Sequence, residues 1–293
     1  MKLRSVFFII FQFAFCQSYA QNNIYKVSFT HDNDLFFITD KYYSARDHLS
    51  FSTLLKDQKE TKRYLEFKIG QNIYSPENKK LPDTSRFDRP FAGWLFLKTK
   101  FTKAFTDKIW STGFEIGLTG PQSFADKVQR NFHKLIKDEI PSWYLQIPND
   151  LHVNINFEYQ KNFINKHILI YSNFALGTKD IFAEGGLEWF FGSHYNFAKN
   201  AYAGLSSHQD KEWFISLGGF YRHVFYNALI EGSFFNDDAI FTKDIQNSLG
   251  LIRVQGFRRW KNKSIDMTYH FNTKEISEAS SHSYLSVSIS RYF

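Results

Sequence analysis

The sequence predicts an all-β fold, a single antiparallel outer-membrane β-barrel of about twelve strands with a short helix in the third extracellular loop. Aromatic residues make up 19% of the chain although its mean hydropathy is only -0.39. That combination is typical of strands that alternate lipid-facing apolar with lumen-facing polar residues and carry aromatic girdles. Short alternating segments also recur along the chain, and the last one ends in a terminal phenylalanine. A secreted β-sandwich is the alternative, but it would carry fewer aromatics.

The first twenty residues are expected to be a secretory signal peptide. Lys2 and Arg4 precede an apolar run over residues 6–16, and a small-residue cleavage site follows before Gln21. We therefore expect residues 1–20 to be removed on export.

Cysteine content, the absence of a linker and the net charge limit the chemistry, the number of domains and the partners that the mature chain can have. Cys16 is the sole cysteine and lies inside the predicted signal peptide, so the mature chain should contain neither a disulfide nor a cysteine nucleophile. No Pro/Gly/Ser-rich linker divides residues 21–293, which predicts one barrel domain. Removing Lys2 and Arg4 with the signal peptide lowers the formal charge from +7 to +5, a mild excess that suits contact with an anionic surface, and export argues against nucleic acid as a partner.

Alternating segments of about ten residues, separated by polar turns, predict the strands. They occupy residues 24–31, 48–56, 63–73, 90–101, 109–118, 151–162, 166–177, 181–192, 211–232, 248–260, 264–272 and 283–293. The ninth segment is long enough for two strands, so the count is about twelve.

The last segment gives the most specific signal for a barrel. One face carries apolar residues and the other carries serines: Leu285, Val287, Ile289 and Phe293 against Ser286, Ser288 and Ser290. An apolar alternation that ends in a C-terminal aromatic resembles the signal read by the outer-membrane barrel insertion machinery, an expected partner.

Both ends of a barrel with an even number of strands lie in the periplasm. The first, third and later odd-numbered connections between strands therefore point outward from the cell. The predicted outward links are residues 33–47, 74–89 and 119–150, and the third is long enough to hold a helix. Its sequence has helical spacing with two stripes. The apolar stripe contains Phe124, Val128, Phe132 and Leu135, and the polar stripe contains Asp126, Gln129, Arg130 and His133.

The stretch from Phe29 to Ser44 places three acids and an amide among large apolar residues. They are Asp32, Asn33, Asp34 and Asp40. Carboxylate and amide oxygens suit Ca²⁺ as hard ligands, although the spacing lacks the glycine and distal glutamate of an EF-hand. Solvated caps and turns at the end of a strand are the alternative.

Two further pairs could contribute to a site on the outward side. Gln129 and His133 are four residues apart on the predicted helix and point the same way, and a histidine can act as a general base. Lys79 and Lys80 could bind phosphate or could simply keep an outer loop soluble. A surface histidine is likewise the alternative for His133. No G-x-S-x-G, H-E-x-x-H or P-loop motif is present.

These pieces together resemble one family, the outer-membrane lipid A 3′-O-deacylases of the LpxR type. The motifs that carry the resemblance occur in order over nearly the whole chain: "HDNDLFF…TDKYYS", "GQNIYSPENKKLPD", "DRPFAGWLF" and "LTGPQSFADKVQRNFHKLI". The resemblance implies a twelve-stranded monomeric barrel in the outer membrane. It also implies Ca²⁺-dependent hydrolysis of the 3′-acyloxyacyl ester of lipid A within lipopolysaccharide.

The resemblance also implies a set of site residues. Its catalytic members would be Asn33, Asp34, Ser44, Gln129 and His133. Asp34 would lie near the metal, and His133 would be the general base. Lys79, together with the adjacent Lys80, would contact the substrate.

One departure from the family pattern concerns the first outward link. The family usually reads Tyr-Thr-Asn-Gly where this chain has Tyr43, Ser44, Ala45 and Arg46. A bulky cation thus replaces a glycine that permits a tight backbone, which bears on the loop geometry and on the fit of the substrate. Arg46 keeps open the alternative of a catalytically inert channel or structural barrel. An outer-membrane phospholipase is a second alternative, because water, a histidine and Ca²⁺ can hydrolyse any nearby ester.

Overall fold

The computed structural model describes residues 24–34, 42–58, 60–79, 87–164, 167–193, 195–205 and 211–293. The predicted signal peptide, Asp40 and Lys80 lie outside these ranges.

Twelve strands of the described chain close into one antiparallel barrel, in sequence order around the wall. They are β1 (Tyr25–Asn33), β2 (Tyr42–Gln58), β3 (Thr61–Ser75), β4 (Ala92–Phe105), β5 (Lys108–Leu118), β6 (Leu151–Ile164), β7 (Ile168–Gly177), β8 (Asp180–Gly192), β9 (Lys211–Asn227), β10 (Ser248–Trp260), β11 (Lys263–Asn272) and β12 (His282–Tyr292). The first and last strands pair and close the barrel. The predicted fold class is confirmed.

Side chains alternate between the lipid-facing and the luminal surface of each strand, because successive residues of a strand point to opposite faces. On β9, Trp213, Ile215 and Leu217 are exposed, whereas Phe214 and Phe220 are buried. The exposed residues belong to the apolar belt expected of an outer-membrane barrel.

Within the described residues, no helix combines the length and the apolar character that crossing a membrane requires.

The described residues form two α-helices, α1 (Ala125–Ile136) and α2 (Ala228–Glu231). The predicted helix of the third outward link is therefore confirmed. The ninth alternating segment is one strand, β9, followed by the single turn of α2.

The first outward link is shorter than predicted. Residues 42–47 belong to β2, and Ala45 pairs with Asn33 on one side and with Ile73 on the other. Backbone pairing with both β1 and β3 extends β2 to these residues. Their polar side chains had indicated a loop instead. The predicted boundary at residue 47 is therefore wrong, and Ser44 lies in an irregular position of a strand between Tyr43 and Ala45.

Residues 195–205, in the connection between β8 and β9, fold back into the lumen at the end of the barrel where β1 begins and β12 ends. Phe197 and Leu205 of this connection are fully buried among luminal side chains such as Phe190 and Phe214. The ammonium group of Lys62, itself buried, donates to the backbone carbonyls of Asn200, at 3.0 Å, and Leu205. The described part of this connection therefore fills the lumen at that end.

Candidate active site

Helix α1 lies against the outside of the barrel wall. A 3₁₀ turn over Gly120–Ser123 leads from β5, and Phe124, with a φ angle of 58°, redirects the chain into the helix. Lys137 ends the helix in the same left-handed region, at a φ angle of 59°. These two turns determine where the helix begins and ends, and between them it packs against β3 and β4.

A glycine on β4 allows the helix to approach the wall closely. A Cβ atom built on Gly93 would overlap the side chains of Ser123 and Ala125. The amide of Gln71 on β3 also donates a 2.5 Å hydrogen bond to the carbonyl of Ser123. The start of α1 is therefore held against two adjacent strands.

Two members of the polar stripe, Gln129 and His133, are buried together with Ala125 on the side of α1 that packs on the wall. The other two, Asp126 and Arg130, are half-buried. The indole N–H of Trp143 donates a 2.7 Å hydrogen bond to Gln129 Oε1, and its ring stacks on Phe91 with a centroid separation of 5.1 Å. This contact fixes the orientation of the Gln129 amide. Gln129 and His133 are both buried on one side of α1, as their spacing of four residues predicts.

His133 is 4% exposed, and its Nδ1 lies 3.3 Å from Asp138 Oδ2. Burial lowers the pKa of His133 and the ammonium group of Lys79 lowers it further, whereas the carboxylate of Asp138 opposes the shift. The imidazole is therefore kept in its neutral form, which can accept a proton.

Lys79 is buried next to the segment that follows α1. The backbone N–H of Ser142 donates a 2.8 Å hydrogen bond to the Lys79 carbonyl, and the Arg130 guanidinium donates to the Ser142 carbonyl. The second outward link and the end of α1 are therefore tied together, in agreement with the effect of Lys79 on the pKa of His133.

The other predicted residues lie at the ends of β1 and β2. Val27 and Phe29 are exposed on the lipid-facing side of β1, so Asn33, on the same face, also points outward. Asn33, Asp34 and Ser44 are all buried, and Asp34 is 0% exposed.

Strand β3 connects the two groups of residues. Its outward face carries Ile73, which packs in a cluster with Ala125 of α1, and two positions further on Ser75, whose hydroxyl is hydrogen-bonded to that of Ser44. Residues two apart on a strand are neighbours on one face. Ser44 therefore lies beside the part of the wall that α1 covers.

An outward-facing pair next to this site was not assigned from the sequence. Nδ1 of His31 is 2.8 Å from Oδ1 of Asp47, and both side chains are well exposed. They share the outward face with Asn33, because His31 precedes it by two residues and pairs across the ladder with Asp47. Alternation along β1 could have indicated the direction of His31, but its partner depends on the register of β2.

Arg46 occupies a paired position of β2, opposite Asp32 on β1. Its side chain points into the lumen, where Nη2 lies 2.7 Å from Oδ2 of the buried Asp32. The hydroxyls of Tyr43 and Ser286 donate to the same carboxylate, at 2.9 and 2.7 Å. Arg46 does not have a positive φ angle, whereas Tyr42, four residues earlier, does. A glycine is therefore not required at this position of β2, whereas residues 35–41 of the link lie outside the described residues, so the effect on loop geometry stays a prediction.

The donors at the site are of the type that Ca²⁺ prefers. A carboxylate from Asp34, an amide from Asn33 and a hydroxyl from Ser44 are all oxygen ligands. In the described part of the chain, no group of three or more His, Cys, Asp or Glu residues is arranged to hold a metal. A Ca²⁺ ion would therefore rely on Asp34 together with neutral oxygen atoms.

The whole chain is similar to known outer-membrane proteins. The model of one family, described as outer membrane protein LpxR, matches residues 5–293. A solved structure of LpxR from Salmonella typhimurium is 20% identical, with a TM-score of 0.79 over 92% of this chain and 100% of that chain. The translocator domain of the autotransporter NalP from Neisseria meningitidis is 6% identical, with a TM-score of 0.43 over 99% of this chain and 95% of that chain. A search of curated protein sequences finds no match.

Proposed function

The chain belongs to the LpxR family of outer membrane proteins, and on this premise we propose that it hydrolyses the 3′-acyloxyacyl ester of lipid A. It would act on lipopolysaccharide at the outer leaflet of the outer membrane. The observation that carries the proposal is the burial of Gln129 and His133 between α1 and the outside of the wall. A site in that position lies on the outside of the barrel, where an outer-leaflet substrate resides.

In the proposed mechanism, His133 takes a proton from water as that water attacks the ester carbonyl. Its lowered pKa supports this role, because the neutral imidazole is the form that can act as a base. Asn33, Ser44 and Gln129 would position the water and the ester by hydrogen bonds. Each of these three side chains is buried, which limits its motion.

Lys79 and Lys80 would bind a phosphate or a sugar oxygen of lipid A by charge-assisted hydrogen bonds. Asp34, with neighbouring oxygen donors, would hold Ca²⁺. When bound, the ion would act as a Lewis acid that stabilises negative charge on the ester oxygen.

The alternative of an open channel is disfavoured by one feature of the fold. Phe197 and Leu205 of the β8–β9 connection are fully buried in the lumen. Residues packed in this way obstruct a path along the barrel axis.

The first experiment compares lipid masses from outer membranes that carry the wild-type chain, His133→Ala or no barrel. His223→Ala is the matched control, because His223 lies on β9 and pairs with Ser248, away from α1. We expect loss of the 3′-linked acyl mass from lipid A with the wild-type and control chains, but not with His133→Ala. A chelated sample should resemble His133→Ala.

Other results would select a different function. Acyl loss from phospholipids, with intact lipid A, would identify an outer-membrane phospholipase. Unchanged lipid masses with a folded wild-type barrel would favour the inert alternative and contradict the proposal.

A further inference from the structure

Helix α1 carries its apolar face on the side away from the barrel. The apolar residues of this face are all exposed: Phe124, Val128, Phe132, Leu135 and Ile136. Leu135, at 80% exposed, is among the most exposed large apolar side chains of the described chain. A surface helix of a water-soluble domain has the opposite arrangement, with its apolar stripe against the core.

The position of the helix indicates what covers this face. The helix follows β5 after a short 3₁₀ turn and packs on the outer surface of β3 and β4. The neighbouring wall carries the lipid-facing belt, with exposed Leu97 on β4 and Leu151 at the start of β6. The apolar face of α1 thus continues a surface whose surroundings are hydrocarbon.

Basic residues border this face in the manner of a helix at a lipid interface. Lys127, Lys134 and Lys137 are exposed, and the ammonium group of Lys127 lies 4.9 Å from the centre of the Phe124 ring. Long basic side chains can lay their stems along apolar surface while their charge reaches the headgroup region. Anionic lipid headgroups attract such clusters.

We propose that α1 is partly immersed in the outer leaflet, with its apolar face in contact with the acyl chains of outer-leaflet lipid. The lysines that border this face then reach the anionic headgroups. The helix is thus held between lipid on one side and the barrel wall on the other. This arrangement does not depend on the proposed hydrolytic activity, since it concerns the environment of the helix alone.

A fluorescence experiment tests the environment directly. The full chain contains a single cysteine, Cys16, so Cys16→Ser provides a thiol-free background for one reporter site at a time. An environment-sensitive dye is attached at Leu135→Cys, at Leu217→Cys in the belt, or at Ile240→Cys. Ile240 is 83% exposed and lies in the connection between β9 and β10, which serves as the aqueous control. Each reporter is measured in vesicles that contain lipopolysaccharide.

The expected result is a blue-shifted emission at position 135 that is quenched by nitroxide-labelled acyl chains, as at position 217. The reporter at position 240 should respond to aqueous iodide instead. If position 135 behaves like position 240, the helix face is in water and the proposal is wrong. If its blue shift disappears as the protein is diluted in lipid, a second copy covers the face, which also contradicts the proposal.

A second variant changes the apolar face itself, in the background of the reporter at position 135. Phe132→Glu places a charge on the apolar face, and we expect nitroxide-labelled acyl chains to quench this reporter less than they do when Phe132 is present. Ile240→Glu is its matched control, because it places the same charge on an exposed apolar residue of the β9–β10 connection. Equal quenching in wild type and Phe132→Glu would contradict lipid contact.

Discussion

Replacing Arg46 by glycine should weaken the folded barrel and leave the site on the outer wall unchanged. The family pattern has glycine at this position, so the sequence alone suggests that this change would restore activity. The structure predicts the opposite, because Arg46 points into the lumen and its Nη2 lies 2.7 Å from Oδ2 of Asp32. The substitution removes the cation and leaves a fully buried carboxylate behind.

The expected loss of stability follows from these contacts. Removing one partner of a buried ion pair costs about 3–5 kcal/mol. The low end applies here because the Arg46 side chain is 32% exposed. Hydrogen bonds from Tyr43 and Ser286 still satisfy Asp32, which lowers the cost to about 2 kcal/mol. Glycine inside a strand adds about 0.5–1 kcal/mol, so we expect about 3 kcal/mol in total.

Denaturant unfolding of the refolded barrel, followed by tryptophan fluorescence, measures this free energy. Asp32→Asn, alone and combined with Arg46→Gly, completes a double-mutant cycle whose coupling should be about 1–2 kcal/mol. Lipid A masses are measured in parallel, and Arg46→Gly should match the wild type whenever the barrel is folded. A coupling near zero, or a rise in lipid A turnover with Arg46→Gly, would refute the reasoning.

Three further predictions concern the helix and its base. Because burial lowers the pKa of His133, the acid limb of the pH–turnover profile should lie below the ordinary histidine value of about 6.5; a midpoint at or above that value would contradict the assignment. Gly93→Ala should displace α1 and reduce turnover while the barrel still folds. Gly219→Ala is the control, because its Cβ would meet no atom within 4 Å, and it should change neither lipid A turnover nor the free energy of unfolding. Trp143→Phe keeps an aromatic ring but removes the hydrogen bond to Gln129, so it should cost about 1–2 kcal/mol in unfolding free energy and lower turnover; unchanged turnover would show that Gln129 needs no such support.

Much of the fold could be predicted because its signals are local. Alternation of apolar and polar residues has the period of a strand, and twelve such segments correspond to the twelve strands. The spacing of Gln129 and His133 likewise places them on one face of a helix, and both are buried in the structure. Such a periodicity depends only on residues that are close in sequence, so it can be recognised without the tertiary structure.

The partners of these elements could not be predicted in the same way. The pairs His31 with Asp47 and Asp32 with Arg46 depend on the register between β1 and β2. A shift of one residue would have exchanged their inward and outward directions. The bulge at Ser44 and the close approach at Gly93 also result from contacts between segments that are distant in sequence.

The sequence by itself determined the strand count, the position of the helix and which residues share a face of it. The tertiary structure decided that the polar face of α1, with Gln129 and His133, packs on the wall while its apolar face points outward. It also decided that Arg46 binds Asp32 in the lumen. The physical reason is that periodicity identifies the faces of an element, whereas closure of the barrel and the surrounding lipid determine what each face contacts.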